Sequence, residues 1–323
     1  MKIRWGIIGC GDIAHKRVAD AIRQQPESRL LAACRRNQEK LSSFCQKYEI
    51  PRSYSEANQL LSDPDIDAVY LATPVNLHCP HAVAAAQQGK HVLVEKPMAM
   101  SVAECEQMVE AARQEGVTLG VAYYRRCYPS VSRVSQIIQA GEIGRPFAIS
   151  AVVSNGFGRS PNSTDGWRGD PKIGGGGALM DVGSHRIDLF VKLFGAARSV
   201  KSCFTRLDAG YDAENSISLI CLFENGVQAT LQSFFGPQPS VDQFRIVGFD
   251  GQIDIENLNQ EQVRITTRDG TRVESHAPAK NLHSPLIDDF VEAIRDHRRP
   301  VCCGIEGMQT NQIMAQAYKD GNR

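Results

Sequence analysis

The chain has 323 residues, is 42% hydrophobic and 22% charged, and carries 36 Lys plus Arg against 36 Asp plus Glu. That size and composition suit a folded enzyme of two ordinary domains and exclude a disordered chain. Formal neutrality leaves no global field to draw a polyanion, which argues against a nucleic-acid partner while leaving a local phosphate pocket open.

The first third alternates short apolar runs with helical patterns. Ile3 to Ile8 reads as a strand, Ile13 to Arg23 as a helix beyond a glycine turn, and Leu30 to Cys34 as a second strand before a helix over Gln38 to Tyr48. Asp67 to Ala72 predicts a third strand and Leu77 to Gln88 a helix closed near Gly89. His91 to Glu95, a helix over Val102 to Glu115 and Thr118 to Ala122 complete the series. Strands alternating with crossover helices imply a mostly parallel sheet covered on both faces, with right-handed crossovers.

The character changes after Tyr123. A helix from Ser130 to Ala140 leads into the strand-like FAISAVVS, and a polar, glycine-containing segment precedes a helix from Ala178 to Phe194. Lys201 to Arg206, Asn215 to Phe223, Gln228 to Phe234, Phe244 to Gly248, Gln252 to Glu256 and Val263 to Thr267 all read as strands, with FENG as a turn between the second and third. Helices over Pro285 to Asp296 and Ile305 to Tyr318 close the chain. The expected fold is α/β: a parallel-sheet domain over 1–122 and, over 123–323, a domain whose open sheet is mainly antiparallel. No repeat or flexible linker appears, so the boundary is expected to be compact.

The 10 cysteines lack the short spacing of a zinc knuckle or redox dithiol, and several sit in apolar runs. A reducing, cytoplasmic setting is expected. The apolar start is too short and glycine-interrupted for a secretory segment, and no run of about 18 apolar residues suggests a membrane span.

GCGDIA, Gly9 to Ala14, follows the first strand and opens a helix. Gly9 permits the tight turn, Gly11 leaves room for phosphate, Asp12 and Ile13 begin the helix, and Ala14 allows close packing. Amides at that helix start suit pyrophosphate, so the motif reads as dinucleotide binding against the alternative of a structural turn. An NAD site usually has an acid at the end of the second strand. Here LLAACRRN offers Arg35 and Arg36. Either they face solvent or one, with Arg36 the stronger choice, pairs with the 2'-phosphate of NADP. NADP(H) is therefore the expected cofactor, with NAD(H) use allowed.

HVLVEKPMA sets Glu95, Lys96 and Pro97 just after an apolar strand, at the edge where open α/β sheets bind ligands. Lys96 there donates to a substrate hydroxyl or the nicotinamide region, or else forms a surface salt bridge. Asp181, His185 and Asp188 lie four and three residues apart along one side of a largely apolar helix. Such a stripe faces either an internal network or a ligand cleft. Near Lys96 and a nucleotide, proton transfer by His185 with an orienting carboxylate is favoured. Metal is not expected: His78 and His81 lack a nearby carboxylate, and the Asp181/His185 pair has no clear third ligand.

GCGDIA, ATPVNLHCPHAVAAAQQGKHVLVEKPMA, and GWRGDP with GGGGALMDVGSHRIDL together resemble the Gfo/Idh/MocA oxidoreductases along nearly the whole chain. The resemblance implies an N-terminal Rossmann domain, a C-terminal α/β domain, and a homodimer or homotetramer formed through the open sheet. It matches Lys96 to the family's EKP lysine, Asp181 and His185 to its aspartate and histidine, and Arg36 to the arginine of NADP-using relatives. Thr73, Pro74 and His78 match a cofactor-side segment, and Trp167 and Arg168 a pair at the cofactor or active-site rim. Tyr123, Arg125 and Arg126 fall where relatives pass to the substrate domain.

The expected reaction is hydride transfer between nicotinamide and a secondary hydroxyl or carbonyl of a sugar, polyol or related compound, with Lys96, Asp181 and His185 at the reacting centre. The alternatives are an NAD-dependent sugar or cyclic-diol dehydrogenase, a redox-assisted glycosidase with tightly held NAD, and a nucleotide-binding regulator without turnover.

Overall fold

The computed structural model of the chain describes residues 2–157 and 166–321. Part of the polar segment before the Asp181 helix lies outside the described residues. By contacts, the residues through Tyr124 group with Ala279–Met308 as one unit, and Arg125–Pro278 groups with the residues from Gln309 on as a second. The first unit thus includes a stretch from far down the chain, tied in by packing such as Trp5 on Phe290, centroids 5.6 Å apart.

The first unit holds six strands: β1 (Ile3–Ile8), β2 (Ser28–Cys34), β3 (Arg52–Tyr54), β4 (Ala68–Leu71), β5 (His91–Val94) and β6 (Leu119–Val121). They order as β3-β2-β1-β4-β5-β6, every neighbouring pair parallel. The central strands are buried along their length, as helices on both faces require; Ala68–Leu71 shows no exposed position. The order reverses between β1 and β4, which opens the crevice where this architecture takes ligands. The helix expected over Ile13 to Arg23 begins as a π-turn, Ala14–Val18, before the α-helix Ala19–Gln24. Two elements have no sequence signal. β3 is three residues of RSY, and the helix Ala57–Leu61 spans little more than a turn.

The second unit holds β7 (Pro146–Asn155), β8 (Ala197–Thr205), β9 (Ser216–Phe223), β10 (Gln228–Phe235), β11 (Asp242–Gly248), β12 (Gly251–Ile255), β13 (Gln262–Thr267) and β14 (Gly270–Ser275). Their order is β14-β13-β12-β11-β7-β10-β9-β8. β7 and β10 run parallel and the other neighbours antiparallel. Along β10 exposed and buried residues alternate, so one face is covered and the other open. The covered face takes the helix Ser184–Phe194, with Phe190 against Phe244 and Phe194 against Phe223 at 6.2 and 6.0 Å. Fully burying one such phenylalanine contributes about 1.5–3 kcal/mol.

Candidate functional site

The register of the first sheet brings its strand ends level. Ile8 pairs with Cys34 and with Leu71, Leu71 with Val94, and Val94 with Val121. The residues that follow, Gly9, Arg35, Thr73, Lys96 and Tyr123, therefore leave the sheet along one edge. Gly9 has φ +97°, and a methyl there would stand 2.5 Å from the Ala72 carbonyl oxygen. Only glycine meets both demands. A methyl on Gly11 would meet nothing within 4 Å, so space is left beside the helix start.

That space belongs to a cleft of about 580 Å³ lined by Gly9, Gly11, Arg35, Arg36, Thr73, Pro74 and His81, among others. Arg35 and Arg36 divide their work. Arg35 donates to the Cys10 carbonyl and so braces the turn. Arg36 is exposed and has no ion pair among the described residues. Ala14 is fully buried, so no side chain holds the helix off the sheet, while Ile13 is half-buried. Asp12 pairs with Lys16 at 2.7 Å on the surface. The open space at Gly11, the amides of the helix start and an uncommitted guanidinium fit a dinucleotide phosphate.

The Thr73 hydroxyl oxygen is buried without a hydrogen-bond partner. His78, 1% exposed, bridges backbone: Nε2 lies 2.9 Å from the Thr73 carbonyl oxygen and Nδ1 3.0 Å from that of Pro97. It thereby ties the segment after β4 to the segment after β5. A neutral imidazole donates to one of these at a time, and burial lowers the His78 pKa against the pull of both carbonyls. His81 lines the cleft with its pKa lowered, by burial first and His78 second, and its Nδ1 has no partner. In the sequence it stands out only as a candidate metal ligand.

Behind Lys96 lies a buried polar network that no local pattern in the sequence signals. The Lys96–Pro97 peptide is cis, and the Lys96 amide donates to Glu95 Oε2 at 3.1 Å. Tyr70 donates to Glu95 Oε1 at 2.7 Å, and His283 Nε2 stands 3.5 Å from the same oxygen. His283 stacks on Tyr124 at 4.8 Å, and Arg17 lies over that ring at 5.1 Å. Burial pushes the Glu95 carboxyl up, but His283, Tyr70 and Lys96 outweigh it and hold the group below the ordinary range. Tyr70 is driven well above its ordinary value by burial and by Glu95. Both Glu95 oxygens are thus engaged by protein groups. Tyr123 is fully buried in the hydrophobic core of this unit.

In the second unit, Asp181 sits in a π-turn, Leu179–Gly183, and His185 in the first turn of the helix Ser184–Phe194. π-turns within helices are frequent at functional sites. His185 is 5% exposed, and Asp181 lies 3.4 Å from the Arg168 guanidinium. Arg168 in turn stands over the Trp167 ring at 4.8 Å. The third member of the expected stripe is engaged elsewhere. Asp188 forms a buried ion pair with Arg126 at 2.8 Å, both side chains within 1% of full burial. Arg125 donates to Asn259 at 3.2 Å, as does the Tyr128 hydroxyl. Among the described residues there is no cluster of three metal-ligating side chains, and no helix is long and apolar enough to cross a membrane.

A family model described as an oxidoreductase family with an NAD-binding Rossmann fold matches residues 3–123, and one for the GFO/IDH/MocA C-terminal domain matches residues 131–254. A 1,5-anhydro-D-fructose reductase of Ensifer adhaerens is 31% identical over 94% of this chain and 92% of its own. A D-xylose 1-dehydrogenase (NADP(+)) of Haloferax volcanii is 32% identical over 77% of this chain and 74% of its own. The crystal structure of aldose-aldose oxidoreductase from Caulobacter crescentus, complexed with glycerol, matches with a TM-score of 0.91 and 27% identity, covering 100% of this chain and 98% of that one.

Proposed function

We propose, from the premise that this chain belongs to the Gfo/Idh/MocA family of NAD(P)-dependent oxidoreductases, that it interconverts a secondary hydroxyl and a carbonyl on a sugar, polyol or related compound, with NADP(H) preferred. The observation that carries this reading is the level edge of the first sheet, from which the glycine turn, the arginine pair and Lys96 all emerge. The relatives named for xylose and anhydrofructose support the substrate class.

When bound, the nicotinamide supplies the hydride acceptor or donor. Gly9 and Gly11 let the backbone approach the pyrophosphate, and the uncommitted Arg36 takes the 2'-phosphate. His185 removes the hydroxyl proton during oxidation and returns it during reduction, with Asp181 orienting the ring. Lys96 donates to the reacting oxygen and stabilises the charge that develops there. Arg125 contacts the substrate, Trp167 and Arg168 stand at the cofactor or active-site rim, and Thr73, Pro74 and His78 shape the cofactor side.

The exposed sheet face carries Ile220 at 56% exposure, with Phe147 and Phe249 exposed as a tilted ring pair near the sheet end. This supports a homodimer or homotetramer, for which light scattering gives the mass. The cysteines of the described chain are all free thiols, which suits a cytoplasmic setting.

The test follows reduced-nicotinamide absorbance across D-xylose, D-glucose, myo-inositol and 1,5-anhydro-D-fructose with each cofactor. Net cofactor turnover on one of them, faster with the phosphorylated cofactor, is expected. Release of nitrophenol from a p-nitrophenyl glycoside added to the panel, without net redox, would instead mean a glycosidase, and nucleotide binding with no chemistry a regulator.

A further inference from the structure

The glycine run ahead of Asp181 has a physical cause. A methyl on Gly177 would stand 1.9 Å from the Glu214 carbonyl oxygen, and one on Gly176 2.1 Å from the Tyr318 hydroxyl. The run is thin because these two residues press against it. Glu214 is 6% exposed. Its Oε2 accepts the Gly177 amide at 2.8 Å, and its Oε1 accepts the Leu179 amide at 3.0 Å and the Tyr318 hydroxyl at 2.9 Å. The Glu214 carbonyl takes the Ala178 amide at 3.1 Å. Three consecutive amides therefore end on one residue.

The hold passes directly to the functional helix. The Gly177 carbonyl accepts the Asp181 amide at 3.0 Å, and the Ala178 carbonyl accepts the Ser233 hydroxyl at 2.8 Å. Amides at a helix start lack acceptors within the helix, so a side-chain carboxylate there fixes where the first turn begins. Burial drives Tyr318 well above its ordinary value, so its hydroxyl stays a donor to Glu214.

We propose that Glu214, locked by Tyr318, is a positioning residue of the reaction: by gathering the amides of residues 177–179 it sets the turn from which Asp181 and His185 act. The inference rests on the reading that those two side chains carry the proton transfer. Loss of the clamp displaces them while leaving the nucleotide-binding residues of the first unit untouched.

The experiment compares Glu214→Ala, Glu214→Gln, Tyr318→Phe and His185→Asn in the full chain, using the panel sugar that the wild type turns over. Misplacing a reacting group by about 1 Å costs on the order of 100-fold, so Glu214→Ala is expected to lower kcat about 10- to 100-fold. NADPH affinity, read by fluorescence, stays at the wild-type value. Glu214→Gln keeps one amide oxygen as acceptor and recovers part of the loss, and Tyr318→Phe has the smallest effect. The primary deuterium isotope effect, read with C-deuterated sugar when the wild type oxidises it or with NADPH deuterated at the transferred C4 position when the wild type reduces it, rises in Glu214→Ala, because misaligned chemistry becomes slower than product release. A variant that merely loosened the fold would lower NADPH binding and kcat together without that rise. If His185→Asn keeps full turnover, the underlying proton-transfer reading fails. If His185→Asn is impaired while Glu214→Ala keeps the wild-type kcat and isotope effect, the positioning role is overturned.

Discussion

Gly11→Ala separates stability from nucleotide binding. Gly11 is not among the left-handed glycines, and its added methyl would meet nothing within 4 Å. Replacing glycine by alanine at a compatible position stabilises by about 0.4–1 kcal/mol through the unfolded chain, so the melting temperature should hold or rise slightly. The same methyl fills the space that the pyrophosphate needs. Overpacking of this kind costs about 1–3 kcal/mol, and at about 1.4 kcal/mol per tenfold NADPH affinity should fall by roughly 5- to 150-fold. Gly9→Ala differs in its effect on stability. Its methyl would lie 2.5 and 2.6 Å from backbone atoms of Ala72, at φ +97°. A left-handed backbone alone costs about 1–2 kcal/mol, and β4 must also move, so melting temperature and affinity should fall together. Thermal unfolding and fluorescence titration of both variants give the answer. Unchanged NADPH affinity in Gly11→Ala would refute the placement of the phosphate, and a lowered melting temperature would refute the open space.

Arg36→Ala should weaken NADPH by about 10- to 100-fold, the worth of charge-assisted hydrogen bonds, and leave NADH within about twofold; equal losses for both, read by titration, would refute the phosphate role. Asp188→Ala strands the buried Arg126 charge and should cost about 3–5 kcal/mol; denaturant unfolding checks this, and an unchanged midpoint would contradict it. Tyr70→Phe removes a 2.7 Å hydrogen bond that helps hold Glu95 below the ordinary carboxylate range. A depressed folded-state pKa contributes stability above the unfolded-state value and loses it as pH falls through the folded-state one. The wild type should therefore exceed Tyr70→Phe by about 1.5–3 kcal/mol at neutral pH, and the gap should narrow in acid. A gap independent of pH would overturn the network.

What is legible in the sequence follows from what each element needs. Parallel strands buried on both faces must read as apolar runs, so β1, β2, β4, β5 and β6 announce themselves, and the alternation along β9 and β10 marks a one-sided sheet. β3 and the edge strand β14, GTRVES, bury too little apolar surface to leave such a pattern. The glycine turn is readable because its spacing carries a backbone requirement, seen in the structure as the contact between position 9 and Ala72. Spacing alone misleads for Asp188: helical periodicity places it with Asp181 and His185, and nothing local indicates that Arg126, 62 residues earlier, takes its carboxylate. His283 and Glu214 escape notice for the same reason. Each meets its partner across a long stretch of chain, and a lone histidine or glutamate gives no local sign of that. The π-turn at Asp181 is likewise invisible to a pattern that assumes an unbroken α-helix.

The most direct test follows the hydrogen itself. The enzyme is incubated with NADP+ and uniformly C-deuterated D-xylose or D-glucose, and the nicotinamide C4 position is examined by NMR. One deuterium should appear there for each molecule of carbonyl product, and none should be lost to water. Product formed with deuterium in solvent and none on the cofactor would contradict direct hydride transfer.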